Sequence, residues 1–225
     1  MFSKRGLDYL AGALFIALVV TIVVGIVTHI MSVSAETFRE DALVVLADIV
    51  QDRDLFIVST AFDLAGNLIL IPLAAVLYIV FRSHDRTLAL LGSFGFLAAA
   101  VLFLMVNMLA ISLISLAEDY AGSQIDSILH AARAIGLMMD VAFMMGALGF
   151  ALGSLSYGLL ILTANALPRW IGVFGIAGGI VAPFGWLLFV DTNLVFIGFI
   201  GLMIALFFSL ISGAWLIWKG SEEAA

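Results

Sequence analysis

The sequence predicts an all-α protein, a polytopic transmembrane bundle of six helices with N and C termini cytoplasmic, and three observations carry that expectation. Of 225 residues, 64% are hydrophobic and 11% charged, with mean hydropathy +1.26. A soluble domain is nearer half apolar and a quarter charged, so lipid is the solvent this surface suits. The apolar residues fall in continuous runs, each meeting the roughly 20 residues a helix needs to cross the hydrocarbon core. Continuity rather than alternation argues against a barrel. The basic residues, finally, are distributed unevenly between alternate connections, which sets orientation.

Taken in order, the runs cover 9–31, 55–81, 87–117, 134–163, 170–190 and 194–218. The first follows Lys4-Arg5 and ends near Val33-Ser34-Ala35, which resembles a signal-peptidase site. Its apolar core is longer than the 7–15 residues of a signal sequence, so it is read as a helix. The one long connection, 32–54, holds an apolar stretch from Ala42 to Ala47 flanked by acids. That pattern predicts a short amphipathic helix lying on the membrane surface. Arg82-Ser83-His84-Asp85-Arg86 makes a tight charged turn before the third run, which, like the fourth, is long enough to tilt or protrude. Asn165 to Arg169 makes another turn, with Pro168 placed at the start of the fifth helix, where a missing N–H costs nothing. Asp191-Thr192-Asn193 closes a hairpin into the last run. No soluble-looking block longer than about 25 residues interrupts the series, so 1–225 is read as one membrane domain.

With the N-terminus inside, the cytoplasmic side receives Lys4, Arg5, Arg82, Arg86, Arg169 and Lys219, and the outer side keeps Arg39, Arg53 and Arg133. The excess places both termini inside a cytoplasmic (inner) membrane, with Trp170, Trp215 and Trp218 at the inner interface. The outer connections are acidic: Glu36, Glu40, Asp41, Asp48, Asp52, Asp54, Glu118, Asp119, Asp126 and Asp191. They read as a solvated face.

Several functions fall away. There is no cysteine, which removes thiolate metal sites, iron–sulfur clusters, thiol catalysis and a cysteine lipid anchor. No basic nucleic-acid footprint is present, no lysine lies within a span to form a retinal Schiff base, and no P-loop, nucleophile elbow or His-Glu-x-x-His motif occurs.

The run His130, Gly136, Gly146-Ala-Leu-Gly149, Gly153 and Tyr157-Gly158, followed by Leu167-Pro168-Arg169-Trp170-Ile-Gly172 and Gly175, resembles a bacterial six-helix membrane family known as domain of unknown function 4386. Leu77-Tyr78 with Arg82 shortly after is also similar. The resemblance covers about 55–185 and implies six helices without an assigned activity or active site to carry over.

Ionisable groups within a bilayer are functional candidates by default, and Asp63 and Asp140 are two. At 1.5 Å per residue, Asp63, Asp140 and Asn107 lie about 12, 9 and 15 Å below the outer ends of their helices. Asn67, four residues after Asp63, shares its face, and Arg133 precedes Asp140 by two turns. These five residues would line an outward-facing polar pocket for ligand binding or proton coupling. The competing reading makes them structural glue between helices. His29 and His130 at the outer rim are weak metal candidates. Met105, Met108, Met138, Met139, Met144 and Met145 would suit copper but also fill apolar gaps, so no cofactor, haem and copper included, is predicted. Gly149-x-x-x-Gly153 and Gly175-x-x-x-Gly179 present small faces for close helix packing, between the fourth and fifth spans or in a dimer. The expected function is binding or transport of a small or lipophilic ligand. The second reading is an accessory subunit with a membrane-protein partner or a homo-oligomer, and the third is a membrane enzyme using paired carboxylates.

Overall fold

The computed structural model describes residues 4–33, 42–123, 125–184 and 195–222. Among them are seven helices and no strand: α1 (Lys4–Ser32), α2 (Ala42–Gln51), α3 (Arg53–Phe81), α4 (Arg86–Ser123), α5 (Asp126–Ala164), α6 (Arg169–Val181) and α7 (Val195–Glu222). Five are long and apolar enough to cross a membrane, namely α1, α3, α4, α5 and, over Ile200–Lys219, α7. The fifth expected run, 170–190, is described only as far as 184, as α6 and a short continuation. The described part, 13 residues of α6 and the continuation to 184, is shorter than the roughly 20 residues of a crossing. Residues 185–190 and the Asp191-Thr192-Asn193 hairpin lie outside the described residues, as do Ser34, Ala35, Glu36, Arg39, Glu40 and Asp41.

Helix ends follow local chemistry. Asp85 caps α4, its Oδ1 accepting the Leu88 N–H at 2.9 Å, which satisfies one of the first-turn donors that have no partner inside the helix. Beyond the end of α5, Asn165 adopts φ 50°, the left-handed conformation asparagine tolerates. Its Oδ1 accepts Arg169 Nε at 2.8 Å. Pro168 stands at the N-cap of α6 with φ −53°, and its carbonyl takes the Ile171 N–H at 3.0 Å.

Two elements go beyond what the sequence pattern specified. α4 and α5 have 38 and 39 residues, so each is close to 60 Å long at ~1.5 Å per residue. Hydropathy marks the stretch that lipid accepts, whereas a helix continues while its hydrogen bonds and packing last. Here the extra turns are held by buried Ala132 and by Tyr120 and Leu129 packed against the same core. The helix expected on the membrane surface exists as α2, but its apolar face is spent on protein: Val45, Leu46 and Ile49 are each 1% exposed.

The chain divides into two compact units, whose boundary falls inside α1, α3, α4 and α5. One comprises the described residues of Met1–Val19, Leu68–Val101 and Met144–Ala225. Its helices meet backbone to backbone through small residues. A Cβ on Gly95 would stand 2.6 Å from Gly153 N and 2.7 Å from Gly149 O, so α4 and α5 reach this approach only because neither side chain exists there. Gly158 meets Gly172 and Gly175 where α5 crosses α6, and Gly12 meets Gly213 where α1 crosses α7. Among these contacts Tyr157 is 2% exposed, its ring stacked 5.7 Å from Phe96 and tilted 5.6 Å from Phe81. Ser93 donates to the Ala74 carbonyl at 2.8 Å. With that hydrogen committed, the phenol donates toward Ser93 Oγ at 2.6 Å and, less closely, toward the Ala89 carbonyl at 3.3 Å.

The other unit comprises the described residues of Val20–Asn67 and Leu102–Phe143. α2 seats its apolar face in a core with Phe56 of α3, Leu113 of α4 and Ala132 of α5. The contact of Phe103 with Phe143, centroids 5.6 Å apart, sets the antiparallel register of α4 and α5.

Candidate functional site

α3 presents Phe56, Ser59, Thr60, Asp63 and Asn67 along one flank, at the three- and four-residue spacing that stacks side chains on a helix face. This flank meets α1 and α4. Toward α4, Asn67 Nδ2 donates to Asn107 Oδ1 at 2.8 Å, and Asn107 Nδ2 donates to the Thr60 carbonyl at 3.1 Å. Asn67 and Asn107 are 8% and 4% exposed, so both amides belong to the interior. Asn107 spans one helix turn of α3 on either side of Asp63, which fixes the three residues at one level.

Toward α1, Ser59 Oγ donates to the Gly25 carbonyl at 3.2 Å, and Thr28 Oγ1 lies 3.0 Å from the same oxygen. One turn further along α3, Asp63 Oδ1 fills the space that a side chain at Gly25 would need. Gly66 similarly lies against Thr21 Oγ1. The missing side chain at Gly25 thus leaves the room that the Asp63 carboxylate occupies, and a side chain there would displace it. Asp63 is half-buried about 15 Å along α3 at a rise of ~1.5 Å per residue. Among the described residues its carboxylate makes no hydrogen bond and no ion pair.

The remaining expected residues are placed as follows. Asp140 is half-buried and already partnered. It stands three residues before Phe143, as Asn107 stands four after Phe103, so the antiparallel register brings Asp140 to the level of Asn107. Arg133 is exposed. His130 is exposed with Nδ1 donating to the Asp126 carbonyl at 2.8 Å, while His29 packs its ring 6.1 Å from Phe56. Among the described residues no three histidines or carboxylates converge as metal ligands would. Met105, Met108, Met138 and Met145 are all exposed. Gly149 and Gly153 turn into α4, against Ala99, Gly95 and Phe96, rather than toward α6. Gly175 and Gly179 turn into α5, against Gly158, Ser154 and Leu155.

Sequence reasoning missed three participants. Gly25 could not be recognised without the register of α1 on α3. Ser59 and Thr60 were readable, being one turn from Asp63 on its own face. Outside this site, Asp8 of α1 is 3% exposed and partnered, and its place near the helix start let it pass as a terminal charge. An open apolar groove along α7, lined by Leu210, Ile211, Ala214, Trp215 and Trp218, carries no ionisable side chain and so offers no chemistry.

The arrangement is one carboxylate without a counter-charge among the described residues, half-buried against Gly25, on a helix face that also carries Ser59, Thr60 and Asn67. It can neutralise a cation and can present neutral oxygens beside it. The sequence model of one family, described as Domain of unknown function (DUF4386), matches residues 10–220, well beyond the stretch that carried the resemblance. No curated protein and no solved structure matches the chain.

Proposed function

We propose that this chain, which belongs to the family of domain of unknown function 4386, is a membrane protein that binds a small cation, the proton included, at Asp63. The observation that carries this reading is the carboxylate itself. Inside a membrane-spanning helix an ionised Asp is costly unless paired, and among the described residues Asp63 has no hydrogen bond or ion pair. Its neighbours Ser59 and Gly25 bring further oxygens and no second charge. A carrier or a sensor could both be built on such a site. The accessory-subunit reading wants a free small-residue stripe, and Gly149 and Gly153 are occupied by α4.

The chain crosses the cytoplasmic membrane six times with both ends inside, so that the cation reaches Asp63 from the outer side. What supports this is charge placement by sequence. By sequence, the connections assigned to the inner side carry Lys4, Arg5, Arg82, Arg86, Arg169 and Lys219, and those assigned to the outer side carry Arg39, Arg53 and Arg133. Basic residues mark the cytoplasmic side. Reporter fusions after Arg82, Arg169 and Lys219 should all report cytoplasm, and an outer location for any of them breaks the topology.

The site is tested with the purified protein in lipid nanodiscs and a hydrophobic carbodiimide, which modifies carboxyl groups. Adduct is expected at Asp63 and absent in Asp63→Asn. Sodium, potassium, tetramethylammonium or protons should change the rate of modification. A rate indifferent to all three ions and to pH would remove the cation reading.

A further inference from the structure

The levels of α3 follow a sequence that matters for access. Asp63, Asn67 and Asn107 form the polar level, with Thr60 at its edge. One turn further, Thr60 Oγ1 is bonded to the Phe56 carbonyl at 2.9 Å, and there the polar level ends. Phe56 is 3% exposed in an apolar layer with Leu113 of α4 and with Val45, Leu46 and Ile49 of α2. On α4 the same change occurs between Asn107 and Ala110, within one turn. A hydrated cation cannot cross this layer without parting it, because burying a charge among unpaired apolar groups is prohibitive.

The elements that form the layer are unequal. α3, α4 and α5 have 29, 38 and 39 residues, and α2 has 10. α2 joins α3 through one residue, Asp52, whose N–H is donated to Asp48 O at 2.9 Å and whose carbonyl accepts from Phe56 N at 3.0 Å. Beside that joint, Arg53 Nε meets Glu118 Oε1 of α4 at 2.6 Å, with both side chains about half exposed. A short helix on a one-residue joint is the part able to move, while the Arg53–Glu118 pair ties α3 to α4 and the long helices stay.

We propose that α2 is a hinged plug, pivoting at Asp52, whose apolar face closes the approach to Asp63. The inference rests on the reading of Asp63 as a cation site, since it names what regulates entry to it. In the plugged state Leu46 and Ile49 seal the layer, and withdrawal of α2 leaves Phe56 and Leu113 lining a passage to Thr60 and Asp63.

The chain has no cysteine, so introduced thiols are unique reporters. A thiol placed by Ser59→Cys is offered a membrane-impermeant, positively charged methanethiosulfonate from the outer side. Addition of Ile49→Asn, which loosens α2, should raise the modification rate by at least about tenfold, the effect of ~1.4 kcal/mol on the opening equilibrium. Because Ile49→Asn could act by misfolding, a second measurement closes the plug instead. Val45→Cys with Leu113→Cys is cross-linked by a bifunctional thiol reagent with a reducible spacer, and Asp63 is modified with a water-soluble carbodiimide. Modification should stop on cross-linking and return on reduction. Unchanged rates in both experiments overturn the plug. Asp63 modification that responds to the cross-link yet ignores sodium, potassium, tetramethylammonium and pH leaves the plug standing and removes the cation reading instead.

Discussion

Replacing Asn107 by leucine tests whether the polar level is a connected network or a set of coincident neighbours. Asn107 is 4% exposed, accepts from Asn67 at 2.8 Å and donates to the Thr60 carbonyl at 3.1 Å. Interhelical hydrogen bonds in membranes contribute about 0.6 kcal/mol on average and up to ~1.7. An interior amide left without its partner adds ~1–3 kcal/mol. Asn107→Leu removes both bonds and strands the Asn67 amide, so a loss of about 2 kcal/mol is expected. Asn67→Leu removes one bond and leaves Asn107 Oδ1 without its donor, costing about 1.5 kcal/mol by the same accounting. The double variant loses the two bonds once and strands neither amide. It should therefore cost about 1 kcal/mol rather than about 3.5, a coupling of roughly 2.5 kcal/mol. Unfolding of the purified protein in mixed micelles, titrated with denaturing detergent, measures all three. Additivity within ~0.3 kcal/mol would mean that the amides act independently, and the network would be refuted.

Three further outcomes are expected. Gly149→Val sets a side chain against Ala99 N at 2.8 Å and Gly95 O at 2.9 Å, both backbone atoms that cannot swing aside. It should destabilise the fold by ~1–3 kcal/mol in the same unfolding titration, with oligomeric state by native mass spectrometry unchanged. Tyr157→Phe removes the 2.6 Å bond to Ser93 but leaves that serine its Ala74 acceptor, so about 1 kcal/mol is expected, against ~3–5 for Tyr157→Ala, which also empties the space beside Phe96. Equal costs would place the stabilisation in the hydrogen bond and contradict the packing account. Leu46→Ala, at a 1% exposed position in the layer under α2, removes packing on the order of 2–5 kcal/mol. Hydrogen exchange should speed up within Ala42–Gln51 while amides around Tyr157 keep their protection.

Much of this architecture was legible because its physics is one-dimensional. A run of apolar residues long enough for the bilayer must be helical to satisfy its backbone, so α1, α3, α4 and α5 follow from composition alone. The level shared by Asp63 and Asn107 could be approached by counting residues at a fixed rise, and the face shared by Asp63 and Asn67 by the helical period. What pairs with what was not legible, because it depends on rotation and register between helices. Spacing announced that Gly149 and Gly153 form a small face, but only the fold turns that face to α4. The same ignorance hid Gly25, whose missing side chain makes room for Asp63. α2 was read as a surface helix because amphipathicity says that an apolar face will be covered and leaves open whether lipid or protein covers it. Arg133 was joined to the polar residues by its position two turns from Asp140. A two-turn interval permits a shared face, yet Arg133 is exposed while Asn67 and Asn107 are buried.

The two compact units solve the packing problem by different means, and the difference bears on where movement is affordable. In the unit containing Tyr157, glycines at 12, 95, 149, 158, 172 and 213 bring backbones together. Such contacts depend on shape and change little with the protonation or hydration of a side chain. In the unit containing Asp63, close approach occurs at Gly25 and Gly66, and in both cases a polar side chain, Asp63 or Thr21, fills the vacated space. The α1–α3 contact there is sensitive to the charge state of one carboxylate and to whatever neutralises it. Among the described residues, eight carboxylates belong to this unit, so its internal repulsion also responds to salt and to bound cations. Local opening is drawn from the parts of a protein with fewest fixed contacts. A cation binding at Asp63 would therefore tighten the Asp63 unit, α2 included, and leave the glycine-packed unit unaltered.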